Sequence, residues 1–238
     1  MEGAGASPQP GGTTGSARSK LRDWTEIGVA YALIMAVEWT PRPLQRVLWV
    51  AAMVGIAVIV WRSFGGWAAM GFRAANLGRS MWIAGAVLVV AGAASVVAAR
   101  MHTLLLPDGP FAFLGTYIAY AIWSFVQQFL LQSFFLLRFL RVMSGERGAA
   151  MIAAVLFSTA HAPNPFLMTL TLVWGIAACM LFVRYRNIYP LMLAHAILGI
   201  TVAMTVPGTV DHNMRVGLGY LRYSPHMHAQ HMHRLMQP

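Results

Sequence analysis

The chain has 238 residues, 58% hydrophobic and 10% charged, where soluble domains carry roughly 25% charged. A mean hydropathy of +0.61 and several apolar runs near the length that spans a bilayer point to a polytopic membrane protein, not a soluble domain. The net charge of +10 comes from basic residues scattered between those runs. That is the pattern of membrane-helix ends, and it argues against a nucleic-acid partner. The lone Cys179 excludes an internal disulfide and a cysteine-built zinc site.

Residues 1–20, rich in Gly, Ser, Pro and Ala, carry too little apolar surface to offset ordering and read as a disordered N-terminal tail. A transmembrane domain follows over 21–206, and a His-rich tail over 207–238. The predicted fold class is all-α, a polytopic membrane helix bundle of about seven transmembrane helices. The first runs from about Trp24 to Trp39 and stops at "TPRP", where two prolines break it. The second is Leu48 to Trp61. The stretch "RSFGGWAAMGFRAANLGRS" is too polar to span, and Trp67, Met70, Phe72 and Leu77 are expected to anchor it in the interface. The third span is Met81 to Val97, with a turn at "PDGP". The fourth, Phe113 to Leu140, is the longest. The fifth, Ala149 to His161, is short and ends at "APNP"; the sixth is Phe166 to Val183 and the seventh Ile188 to Val206.

Basic residues set an expected orientation. Arg18, Lys20, Arg22, Arg62, Arg73, Arg79, Arg138, Arg141, Arg147, Arg184 and Arg186 fall in loops on one side. The positive-inside rule places that side, with the N-terminus, in the cytoplasm, as for a bacterial inner-membrane protein.

Polar residues inside the spans are the candidate chemistry. Tyr117, Tyr120, Ser124, Gln127, Gln128 and Gln132 recur at three- and four-residue steps and share one face of the fourth helix. Buried amides need partners, so this stripe either joins helices by hydrogen bonds or lines a cavity. His161 ends the fifth span and His195 sits mid-way along the seventh, giving an expected central polar cavity around Gln127, Gln128, His161 and His195.

These residues, in this order, resemble the CPBP family of CAAX-prenyl endopeptidases and Abi proteins, which are intramembrane proteases. The family carries Glu-Glu-x-x-x-Arg, then Phe-x-x-x-His, then a second His followed four residues on by Asn or Asp. Here Phe157 to His161 matches the second motif; His195 matches the third, but with Gly199 at its last position; Gln127, Gln128 and Gln132 stand in place of Glu, Glu and Arg. The resemblance extends over about residues 65 to 200. It implies a water-activating site at Gln127, Gln128, Gln132, His161 and His195, and a membrane peptide, prenylated or lipid substrate in the bilayer.

A glutamine amide cannot act as a general base, though it can orient a water or donate to an oxyanion. The three substitutions neutralise the expected site together. A replacement acid must come from the seven carboxylates of the chain, of which Glu38 and Asp108 are closest to His161 in the expected topology; Glu38 is alternatively a surface group paired with Arg42. Three readings stay open: an endopeptidase with altered residues, a catalytically silent relative binding in the old cleft, and a metal-dependent membrane enzyme acting on lipid or isoprenoid. The last would use His161 and His195 with His102 or the tail. In the tail, two His-Met-His triplets (His226, His228, His231 and His233, with Met227 and Met232) suit zinc or copper. Asp211 and His212 form a second, weaker candidate pair.

Overall fold

A computed structural model describes residues 12–223. Among them every regular element is helical: α1 (Gly12–Glu38), α2 (Leu44–Arg62), α3 (Leu77–Ser80), α4 (Trp82–Arg100), α5 (Pro110–Gln128), a π-helical stretch (Phe129–Leu136), α6 (Leu137–Val142), α7 (Glu146–Thr159), α8 (Pro165–Tyr185), α9 (Tyr189–Thr205), α10 (Gly208–Asp211), a 3₁₀ turn (His212–Met214) and α11 (Gly217–Leu221). Four segments are long and apolar enough to cross a membrane: Leu44–Arg62, Leu77–Arg100, Pro110–Val142 and Pro165–Tyr185. A fifth arises if Tyr189–Thr205 and Gly208–Met214, bent by 112°, form one broken span.

Seven spans is therefore not the count the described residues support. Two expected spans fall short for different reasons. α1 has the length, but Arg22, Asp23 and Glu26 sit within it; α7 has only 14 residues. Residues 12–20, assigned by composition to a tail, are the first turns of α1, and part of the expected C-terminal tail is folded as α10, the 3₁₀ turn and α11.

Local chemistry sets the helix ends. Pro110 opens α5 and Pro165 opens α8, where a missing N–H is harmless. Asn164 caps α8, its Oδ1 accepting from Leu167 N at 3.2 Å. Arg186, in the left-handed region at φ 50°, ends α8. α7 turns a face of Ala149, Ala150, Ala153 and Ala154 inward, and a Cβ on Gly175 of α8 would lie 3.1 Å from the Ala154 methyl. Small residues let these two helices approach closely, the usual device where lipid offers no hydrophobic drive to packing.

The 64–80 stretch docks in part on the bundle. Met70 is buried, its carbonyl accepts from Ser133 Oγ at 2.6 Å, and Phe72 packs on Phe129. Asn187 holds the following turn by donating to the carbonyls of Arg73 at 2.8 Å and Ala75 at 3.2 Å. Trp67 remains exposed. The carbonyls of Met70, Arg73 and Ala75 find donors on the bundle, which satisfies backbone that this irregular segment leaves unpaired.

At one end of the bundle α1 is pinned to α6. Arg141 reaches Asp23 at 2.6 and 2.8 Å; Arg138 reaches Glu26 at 2.6 and 2.9 Å, donates to Ser63 Oγ at 2.7 Å and stacks on Phe134 at 3.7 Å.

Candidate functional site

A cavity of about 730 Å³ opens among α1, α2, α5, α7, α8 and α9, with the 213–216 segment over part of it. That volume suits a small ligand or a hydrocarbon chain. The wall is mostly apolar, from residues such as Ile34, Met53, Leu131, Phe135 and Leu198, and so differs from the polar cavity expected. The polar groups on the wall include Gln127, His161, His195, Tyr120 and Glu38.

The Phe157–His161 spacing has a structural reason. α7 ends at Thr159, so its last carbonyls lack helical partners. The His161 ring satisfies one of them, Nδ1 donating to the Phe157 carbonyl at 2.7 Å. The Phe157 ring then meets both imidazoles edge-on, at 5.0 Å from His161 and 5.7 Å from His195 between centroids.

His195 is held from α5. Gln128 Nε2 donates to its Nδ1 at 2.9 Å, and Gln132 Nε2 donates to Gln128 Oε1 at 3.2 Å. Both glutamines are fully buried behind His195, while Gln127 faces the cavity. Gln132 lies on the π-helical stretch, a backbone form frequent at functional sites. Its Oε1 is buried without a partner, as is the indole N–H of Trp174, whose ring stands 6.3 Å from His195. The structure thus brings Gln127, Gln128, Gln132, His161 and His195 into one region.

Gly199, four residues after His195, faces Tyr120: a Cβ there would overlap the phenolic hydroxyl. Tyr120 thus fills the space that a side chain at 199 would take. The stripe of polar residues on α5 signalled Tyr120, but its pairing with Gly199 is a tertiary fact that spacing does not carry.

Glu38 is the one carboxylate lining the cavity, and among the described residues it makes no ion pair with Arg42. Asp108 lies outside the cavity wall. Gly217, beside the Glu38 backbone, donates its N–H to the Ala162 carbonyl at 2.7 Å, and Asn164 Nδ2 donates to the carbonyls of Asp211 at 2.7 Å and Arg215 at 3.1 Å. Asp211 Oδ1 accepts from Asn213 N at 2.8 Å, and His212 stacks on Tyr220 at 4.2 Å. That pair shapes the segment at the cavity mouth. His102 is not on the wall, and no cluster of three His, Cys, Asp or Glu residues occurs among the described residues. His226, His228, His231 and His233 lie outside the described residues.

Residues 110–201, which hold α5 through most of α9 and all three motif positions, match the family model for type II CAAX prenyl endopeptidases of the Rce1-like kind. This segment is CAAX-protease-like. The match covers less than half of the chain and is a likeness of that segment. No curated protein and no solved structure matches the chain. The Rce1-like segment supplies Tyr120, the glutamines and both histidines; α1, outside it, supplies Glu38.

Proposed function

We propose that this CAAX-protease-like membrane protein holds an apolar peptide or lipid chain in its central cavity without hydrolysing it. The observation that carries this reading is the chain Gln132–Gln128–His195, three uncharged groups hydrogen-bonded to one another where a hydrolase needs a base. An amide cannot take a proton from water, and the loss of a general base removes roughly 10²- to 10⁴-fold in rate. The apolar wall favours a hydrocarbon occupant that arrives from the bilayer. The arginine distribution supports an N-terminus on the cytoplasmic side.

Glu38 supports a second reading: it lines the same cavity as His161 and is free to serve as a replacement base. The test is a panel of lipidated membrane peptides offered to purified protein in nanodiscs. Binding without product supports the first reading, and product formation that Glu38→Gln abolishes supports the second.

A further inference from the structure

The cavity wall is one-sided in charge. Among the described residues it holds one carboxylate, Glu38, and no Arg or Lys. The half-buried Glu38 side chain joins no ion pair among the described residues. Arg215, between the lining residues Met214 and Val216, stands over the Tyr223 ring at 5.3 Å and makes no ion pair with Glu38. Glu38 ends α1 at a junction of elements. Gly217 lies so close that a Cβ on it would overlap the Glu38 carbonyl, and its N–H donates to the Ala162 carbonyl, just past α7, at 2.7 Å. From the other side, Gln45 Nε2 of α2 donates to the Val37 carbonyl at 3.0 Å. Trp49 follows Gln45 by one helical turn and shares its face, which puts it at the same end of the cavity as Glu38. The Trp49 ring stands 6.4 Å from the Trp123 ring of α5, tilted by 42°, and both line the cavity. Three tryptophans, two tyrosines and two phenylalanines line it in all, so π faces outnumber every other polarisable group there.

We propose that the cavity selects an amphiphile with a cationic headgroup, an alkylammonium on a hydrocarbon chain, with Glu38 as its counter-ion and the Trp49–Trp123 pair as its aromatic wall. A carboxylate drawn out of water calls for an opposite charge, which this wall does not itself supply. Ring faces attract cations through their quadrupole, and indole does so best. The apolar remainder of the wall takes the chain. Glu38 is then a binding group and not a base. A fatty acid would bring a second negative charge beside Glu38, and a neutral alcohol would leave the carboxylate without a counter-charge. A zwitterionic phospholipid carries an ammonium, but its phosphate would meet no Arg or Lys on the described wall. This inference rests on the binding reading above and names the charge of the ligand's polar group.

The test uses the full chain in uncharged maltoside micelles, with the signal of empty micelles subtracted. Three fluorescent probes share one long chain and differ in headgroup: a trimethylammonium, an alcohol and a sulfonate. The ammonium probe is expected to bind about tenfold more tightly than the alcohol, the equivalent of one partly desolvated cation–aromatic contact, and the sulfonate most weakly. Glu38→Gln keeps the side chain's shape and breaks no ion pair among the described residues. It is expected to remove most of the ammonium preference while leaving alcohol affinity unchanged, which also shows that the variant is folded. Trp49→Leu is expected to weaken the preference and Trp49→Phe to restore part of it. Equal affinity for ammonium and alcohol, tighter binding of the sulfonate, or a preference that survives Glu38→Gln overturns the inference and leaves the ligand-holding reading standing. Binding of none of the three probes contradicts that reading and this inference with it.

Discussion

Gln128 is the residue on which the site's order depends. It is fully buried and paired on both sides, with His195 and with Gln132. Gln128→Leu keeps the volume but strands the His195 nitrogen and the Gln132 amide, at about 1–3 kcal/mol for each buried group left unpaired. The expected outcome is a clear fall in melting temperature in detergent; an unchanged melting temperature would mean that these hydrogen bonds contribute nothing to folding. Gly199 tests packing at the same site. Gly199→Ala pushes a methyl into the Tyr120 hydroxyl and should cost about 1–3 kcal/mol by overpacking. Combined with Tyr120→Ala, it should cost less than the two changes summed, because the space is then free. At this scale the five Gln and His side chains that the sequence singled out fall together in the fold. The sequence could not name Tyr120 as the occupant of the gap at 199, nor decide between the cavity and Arg42 for Glu38, because both depend on where distant helices come to rest.

Individual helices show why some pieces were legible and others were not. Prolines and glycines mark breaks whatever the tertiary context, so the start of α5 and both bounds of α8 were readable to within a few residues, while the π-helical stretch that ends α5 at Gln128 was not. The docking of the 64–80 turn was not legible along the chain, because its carbonyls are claimed by the distant Ser133 and Asn187. The ion pairs of α1 were likewise invisible along the chain, since Asp23 and Arg141 are more than a hundred residues apart. These two pairs should differ in weight. Arg138 is almost wholly buried against Glu26, so Glu26→Gln strands a buried guanidinium and should cost about 3–5 kcal/mol. Arg141 is half exposed, and Asp23→Asn should cost about 1 kcal/mol through its pair with that residue. Thermal unfolding of both variants in the same detergent checks the order; equal losses would contradict it.

Over the whole molecule, helices line a mostly apolar cavity whose wall also carries the Gln127, His161 and His195 side chains and one acid, Glu38. The all-helical membrane architecture and the CAAX-protease-like segment were both legible, because long apolar runs and ordered short motifs survive substitution at the site. The number of spans was not: the charges within α1 and the shortness of α7 weigh against crossing in ways a count of apolar runs passes over. Restoring charge should restore chemistry if the scaffold is intact, so Gln128→Glu with Gln132→Arg is expected to produce slow cleavage of a peptide that the unaltered protein only binds. The most direct measurement follows binding and product by mass spectrometry in one nanodisc sample holding the unaltered protein and a fluorescent lipidated peptide. The account predicts saturable binding and no product. Product that forms with the unaltered protein and disappears with Glu38→Gln would contradict it.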